Sequence, residues 1–151
     1  VQVFAGCALP EEYLYDLEHE VWVSLEHDGS ARLGMTDVAQ TLCGKLVSIT
    51  FQKRPGDRVR RGRTLVVIES AKWVGPFRSP LSGEVLEVNE AAFQADQLIA
   101  NRDPYGAGWL VRLMPAAIDS ERAELLDGTA AFPVVRERIE RDEIHCFRCA
   151  D

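Results

Sequence analysis

Three groups of residues in this chain have types and spacings that could do chemistry. The first is a single lysine, Lys72, in LVVIESAKWVGPFRSPLSGEV, between an apolar run and a return rich in proline and glycine. A residue that carries a prosthetic arm needs a nucleophilic amine, exposure to a ligating enzyme and a rigid base. A tight hairpin supplies the last two. The valines and isoleucine of LVVIE anchor one side, and Pro76 and Pro80 restrict the return path. Acylation would remove the charge of the amine and leave a long tether. The same residues also read as an ordinary solvated turn lysine, and the hairpin alone leaves both readings open.

The second group is Cys146-x-x-Cys149, with His145 beside it. It reads as a redox pair, as half of a metal site, as a mobile tail with incidental thiols, or as thiols that tie the tail to Cys7 or Cys43. A structural zinc needs four ligands and there is no second Cys-x-x-Cys; only Cys7, Cys43, His19 and His27 could complete one. No metal is therefore expected. The third group is the run KRPGDRVRRGR, six basic residues within eleven positions. It lacks interleaved aromatics, and a net charge of −7 opposes nucleic acid. A solvated hairpin or a dock for an acidic enzyme surface suits it better. His19, His27 and His145 have no spacing to a nucleophile that suggests catalysis, so no catalytic residue is assigned.

The elements that must position these groups follow from the pattern of breakers. At 151 residues and 46% apolar content, one compact domain with a terminal appendage is expected. No apolar run of about 18 residues marks a membrane span. Four scattered cysteines suit a reducing compartment, so a cytoplasmic location is expected. VFAGC resembles the end of a lipoprotein signal with Cys7 as acceptor, but only six residues precede Cys7 here, with no basic start.

VWVSLE, KLVSITF, TLVVIES, EVLEVN and WLVRLM read as strands, with turns at HDGS and RPGD and a loop at NRDPYGAG. PEEYLYDLEHE reads as a helical turn or an extended lead-in. TDVAQTL reads as a short helix capped by Thr36 and ended by Gly44. The segment after Lys72 cannot be a central strand, because its prolines remove ladder donors. GKLVSIT and GEVLEVN share a pattern that fits two half-sheets, with Lys72 at the crossing between them. From Ala116 the character turns helical: Ser120 caps a helix that stops at Gly128, and a second begins at Pro133. The expected division is a body over 1–115, with its core in 15–115, and a helical extension over 116–151.

Four motifs in order carry a resemblance: LGMTDVAQTLCGKL, PGDRVRRGRTLVVIESAK, SPLSGEVLEVNEA and NRDPYGAGWLVRL. Together they resemble the lipoyl-bearing H-protein family, best known from glycine cleavage, over roughly residues 15–115. The family's G-D-x-V-x-x-G…E-S-x-K spacing is met by Gly56, Asp57, Val59, Gly62, Glu69, Ser70 and Lys72. The resemblance implies a mainly β fold, a lipoyl-domain-like sandwich or flattened barrel with a hammerhead-type hairpin, a short N-terminal helix and a C-terminal helical tail. It implies lipoic acid attached to Lys72 as a swinging arm, with Glu69 and Ser70 in the surface read by a lipoate-attaching enzyme. It also implies a carrier that catalyses nothing itself. Biotin carriers usually place methionine beside the lysine, whereas Ala71 and Trp73 flank it here.

Departures from the glycine-cleavage pattern are local. Aligned on Trp22, Glu20 and Val21 stand where that family usually has His-Glu. After the lysine, WVGPFR replaces small residues and an acid with an aromatic, two stiff positions and Arg78. ESAKWVGPF, the N-terminal Gly-Cys and the cysteine-bearing tail are similar to lipoate-binding proteins of heterodisulfide-reductase-like sulfur oxidation. That resemblance implies a sulfur-bearing cargo and a heterodisulfide-reductase-like complex as partner. The alternative is an aminomethyl cargo shared with glycine decarboxylase, aminomethyltransferase and dihydrolipoyl dehydrogenase. A third reading places the chemistry in Cys146 and Cys149.

Overall fold

The computed structural model describes residues 1–149. The chain begins with a ribbon of β1 (Gln2–Phe4) and β2 (Cys7–Leu9), then β3 (Leu14–Asp16), β4 (Val21–Leu25), β5 (Ala31–Met35) and helix α1 (Asp37–Cys43). Next come β6 (Leu46–Phe51), β7 (Arg58–Val59), β8 (Thr64–Ser70), β9 (Val74–Arg78) and β10 (Gly83–Val88). Helices α2 (Glu90–Ala95) and α3 (Ile99–Arg102), strand β11 (Val111–Pro115), helix α4 (Ile118–Glu121), strand β12 (Leu126–Asp127) and helix α5 (Gly128–Asp142) complete the order. The strands pair antiparallel in a seven-stranded sheet, β12-β3-β4-β5-β11-β10-β7, and a three-stranded sheet, β6-β8-β9, beside the N-terminal ribbon.

The main core joins both larger sheets. Val23, Leu33, Val85 and Leu113 of the seven-stranded sheet belong to one buried cluster with Phe51, Leu65, Ile68 and Phe77 of the three-stranded one. A second cluster joins Trp22 and Tyr15 to Val135 and Ile139 of α5, and to Cys7 and Cys146. Successive strand residues face opposite sides, so Val21 and Val23 of β4 serve the first cluster while Trp22 serves the second. That is why VWV reads as an unbroken apolar run: the strand is covered on both faces. Gly34 lies opposite Trp22 in the register of β4 and β5, and a Cβ there would stand 2.5 Å from the indole ring. Glycine leaves the space that the ring fills.

The five expected strands and the Thr36-capped helix form where the pattern puts them. Thr36 Oγ1 accepts from the Ala39 N–H at 3.1 Å, and Gly44, at φ 78°, ends α1. The return after Lys72 is an edge strand, β9, as its prolines require.

Other expectations are corrected. Of the two readings of PEEYLYDLEHE the extended one is formed and the helical turn is not: residues 1–20 hold strands β1 to β3, with Leu14 and Tyr15 buried between β12 and β4. Gly128 does not stop a helix but starts α5, capped by Asp127, whose side chain accepts from the Ala130 N–H at 2.8 Å. A Cβ at Gly128 would run into the Glu11 backbone, so the glycine serves close packing. Pro133 lies inside α5 and Ser120 inside α4; neither is a helix start. β6 and β10 do fall in different sheets, but Lys72 turns within the three-stranded sheet and does not cross between the two. Beyond residue 115 the chain stays on the body: β12 extends the seven-stranded sheet and α5 covers Trp22. Among the described residues no helix is long and apolar enough to cross a membrane.

Candidate functional site

Lys72 stands at the tip of the β8–β9 hairpin, exposed together with Ala71 and Trp73. The tip is closed by the Ser70 N–H donating to the Trp73 carbonyl at 2.8 Å. Ser70 is 5% exposed, and its hydroxyl oxygen accepts from the Lys72 N–H at 3.4 Å. Ser70 thus shapes the turn from inside, while Glu69 is exposed on its outside. The hairpin is anchored by Leu65, Val66 and Ile68 of β8 and Phe77 of β9, all in the main core. The tip itself lies outside this core, with the Lys72 side chain exposed.

The lysine stem folds against the end of α1. A Cβ on Gly44 would lie 2.8 Å from Lys72 Cε and 3.4 Å from Nζ. Gly44 is held by Asn101, a buried residue of α3 and the first residue of the expected NRDPYGAG loop. Its Nδ2 donates to the Gly44 carbonyl at 2.8 Å and its Oδ1 accepts from the Leu46 N–H at 3.1 Å. Asn101 therefore fixes the junction of α1 and β6 against which the lysine rests. The sequence signal was present as Asn-Arg-Asp-Pro, but nothing local said that its first residue would be buried.

Beside the hairpin runs a cleft of about 340 Å³. Leu42, Cys43, Ile68, Trp73 and Phe77 give it apolar walls. The Trp73 ring lies over Gly75, where any Cβ would collide with it. Burial pushes the Cys43 thiol up to about 11, with the Lys72 cation opposing in a smaller measure, so Cys43 is a neutral wall group at pH 7. Glu20 and Arg138 form an ion pair in the wall, and Thr36 Oγ1 also donates to the Glu20 carboxylate. Burial holds Glu20 above the usual glutamate range, against the pull of Thr36 and Arg138. His19 Nδ1 lies 3.0 Å from Asp16 Oδ2.

The terminal cysteines are not brought together. Cys146 is joined by a disulfide to Cys7, 139 residues away, and Cys43 and Cys149 are free. The expectations of a Cys146–Cys149 redox pair and of four reduced thiols both give way, as does Cys7 as a lipid acceptor. The alternative that ties the tail to Cys7 is the one formed. The tail then follows α1: the Phe147 carbonyl accepts from Gln40 Nε2 at 2.8 Å, Arg148 pairs with the buried Asp37 at 3.3 Å, and the Cys149 N–H donates to the Asn101 carbonyl at 3.0 Å. The basic run lies at the other end of β8 from Lys72. There Lys53, Arg58, Arg60 and Arg63 border a separate depression, while Arg54 is bound to Glu90.

Comparison with known proteins bears on the family and the fold. The model of the family described as "Glycine cleavage H-protein" matches residues 13–138. The chain is 38% identical over 146 residues to glycine cleavage system H protein 2 of Aquifex aeolicus, covering 97% of this chain and 89% of that one. It is 39% identical over 148 residues to probable glycine cleavage system H protein 2 of Saccharolobus solfataricus, covering 97% and 98%. A crystal structure of a glycine cleavage system H protein from Mycobacterium marinum superposes with a TM-score of 0.71 at 31% identity, over 90% of this chain and 100% of that one. The chain thus belongs to the glycine cleavage H-protein family, whose members are lipoyl carriers and not themselves enzymes.

Proposed function

We propose that Lys72 is the lipoyl attachment point, and that its arm shuttles a sulfur-containing intermediate between enzymes of a cytosolic heterodisulfide-reductase-like sulfur-oxidation system. The observation that carries the attachment is the exposed amine on a core-anchored hairpin tip, next to an apolar cleft. The residues present fit the group. A lipoyl chain is hydrocarbon between an amide and a dithiolane, and Leu42, Ile68 and Trp73 offer apolar cover beside the lysine. When bound, the dithiolane supplies reversible two-electron thiol–disulfide chemistry. The chain's own part is to hold the tether, to present Lys72 and Glu69 to the lipoate-attaching enzyme on a turn set by Ser70, and to shelter the arm from water between partners.

The sulfur-bearing cargo rests on the residues around Lys72, where Trp73 and Arg78 depart from the glycine-cleavage pattern. Relatives named glycine cleavage system H protein 2, 3 and 5 occur together in Aquifex aeolicus. A second reading, an aminomethyl carrier for glycine decarboxylase, aminomethyltransferase and dihydrolipoyl dehydrogenase, is favoured by the printed names of those relatives.

Intact mass of the protein from its own host, followed by peptide mapping, tests the attachment. A lipoyl mass on Lys72 that disappears in Lys72→Arg, with an unchanged circular dichroism spectrum, is expected. An unmodified Lys72 in cells that modify another lipoyl protein would refute it. Reconstitution with the glycine-cleavage enzymes separates the cargo readings: robust glycine exchange would overturn the sulfur reading.

A further inference from the structure

We propose that Arg78 makes the cleft beside Lys72 select an anionic cargo, an oxyanion such as a sulfonate borne on the terminal sulfur of the arm. This rests on the lipoyl reading of Lys72.

The charges around the cleft carry the argument. Arg138 is neutralised by Glu20, and His19 is engaged by Asp16. Two charged side chains in the lining have no opposite partner among the described residues: Glu18, exposed on the β3–β4 turn, and Arg78, half-buried at the end of β9. Arg78 donates from Nη1 to the Gly62 carbonyl at 3.0 Å, and no carboxylate meets it. A guanidinium has five N–H donors, so most of this one remains available to an incoming acceptor. Partial burial strengthens it for an anion, while Glu18 stands in water where its field is screened. The hairpin segment 73–79, WVGPFRS, contains no acid at all.

Position allows the encounter. Trp73, next to Lys72, and Pro76 and Arg78 of β9 line the same cleft. A cationic aminomethyl group brought to the same place would be repelled, and an oxyanion held by charge-assisted hydrogen bonds.

The test uses the lipoylated full chain and two nucleophiles, sulfite and 2-mercaptoethanol. Sulfite attacks one dithiolane sulfur with its lone pair; the S–S bond breaks, an S–SO3 bond forms, and the released pair leaves as a thiolate that takes a proton from water. The thiolate of mercaptoethanol reacts in the same way to give an uncharged mixed disulfide, with no external oxidant or reductant in either case. Intact mass reads the fraction of each adduct at equilibrium. Arg78→Gln keeps a donor for the Gly62 carbonyl and removes the charge. The expected result is a fall of about five- to tenfold in the sulfite equilibrium constant, with mercaptoethanol unchanged within about twofold. A sulfite constant that falls less than twofold, or in parallel with that of mercaptoethanol, overturns the inference about Arg78 and leaves the carrier reading standing. A wild-type Lys72 that carries no lipoyl group and takes up neither probe overturns the carrier reading, and this inference with it.

Discussion

Reducing the Cys7–Cys146 disulfide should cost this protein a large part of its stability while leaving its fold in place. The bond closes a loop of 139 residues, nearly the whole chain. In the chain-entropy account, the open unfolded chain regains about 5 kcal/mol of conformational freedom at room temperature once such a loop is cut. The native state loses little by comparison. The Cys146 N–H still donates to the Ala5 carbonyl, Phe147 and Arg148 remain tied to α1, and both thiols stay packed with Leu9, Tyr15, Trp22 and Ile139. With a urea slope of about 2 kcal/mol per M, the unfolding midpoint falls by about 2.5 M on reduction. Urea titration followed by tryptophan fluorescence, with and without a phosphine reductant, reads this directly because Trp22 belongs to the affected cluster. The Cys149→Ser variant should show the same oxidised midpoint as wild type. Midpoints that agree within about 0.3 M, in samples whose thiol counts differ by two, would refute the account of the bond as the closure of the chain.

Three further outcomes follow from single contacts. Gly34→Ala should destabilise by about 1–3 kcal/mol in thermal unfolding, because its Cβ meets the buried Trp22 ring, whose N–H is fixed to the Pro104 carbonyl at 2.9 Å; an unshifted Tm would show that the ring has room to move. Iodoacetamide on the native, oxidised protein should label Cys149 and spare Cys43, which is buried and held as the neutral thiol by a pKa of about 11; faster labelling of Cys43 would contradict the packed cleft wall. Burial raises the folded pKa of Glu20, so the stability it contributes is full below the ordinary glutamate value and lost as pH rises through the folded one. Glu20→Gln should accordingly be somewhat more stable than wild type at pH 7, with the gap closing toward about pH 4.3. A deficit at pH 7 that shrinks in acid would reverse the sign and refute the assignment of burial as the larger cause.

What the sequence determined by itself was local. Breakers at Pro55-Gly56 and Gly62, with β-branched runs on either side of them, fix β6, β8 and the hairpin, because turn chemistry and strand preference act over a few residues. Thr36 and Gly44 bound α1 for the same reason. Lys72 was legible because a lone amine at a hairpin tip needs only its neighbours to be exposed. Tertiary structure decided everything that depends on residues far apart in the chain. Asn101 became a buried bracket only when α3 packed against the end of α1, and Gly128 became a packing glycine only when Glu11 came against it. The cysteines show the limit most plainly. Spacing put Cys146 with Cys149, but the tail folds along α1 and brings Cys146 to the N-terminal ribbon, so the bond forms across the length of the chain. Pairing of that kind is set by which surfaces the closed fold brings together, and no short stretch of sequence contains that information.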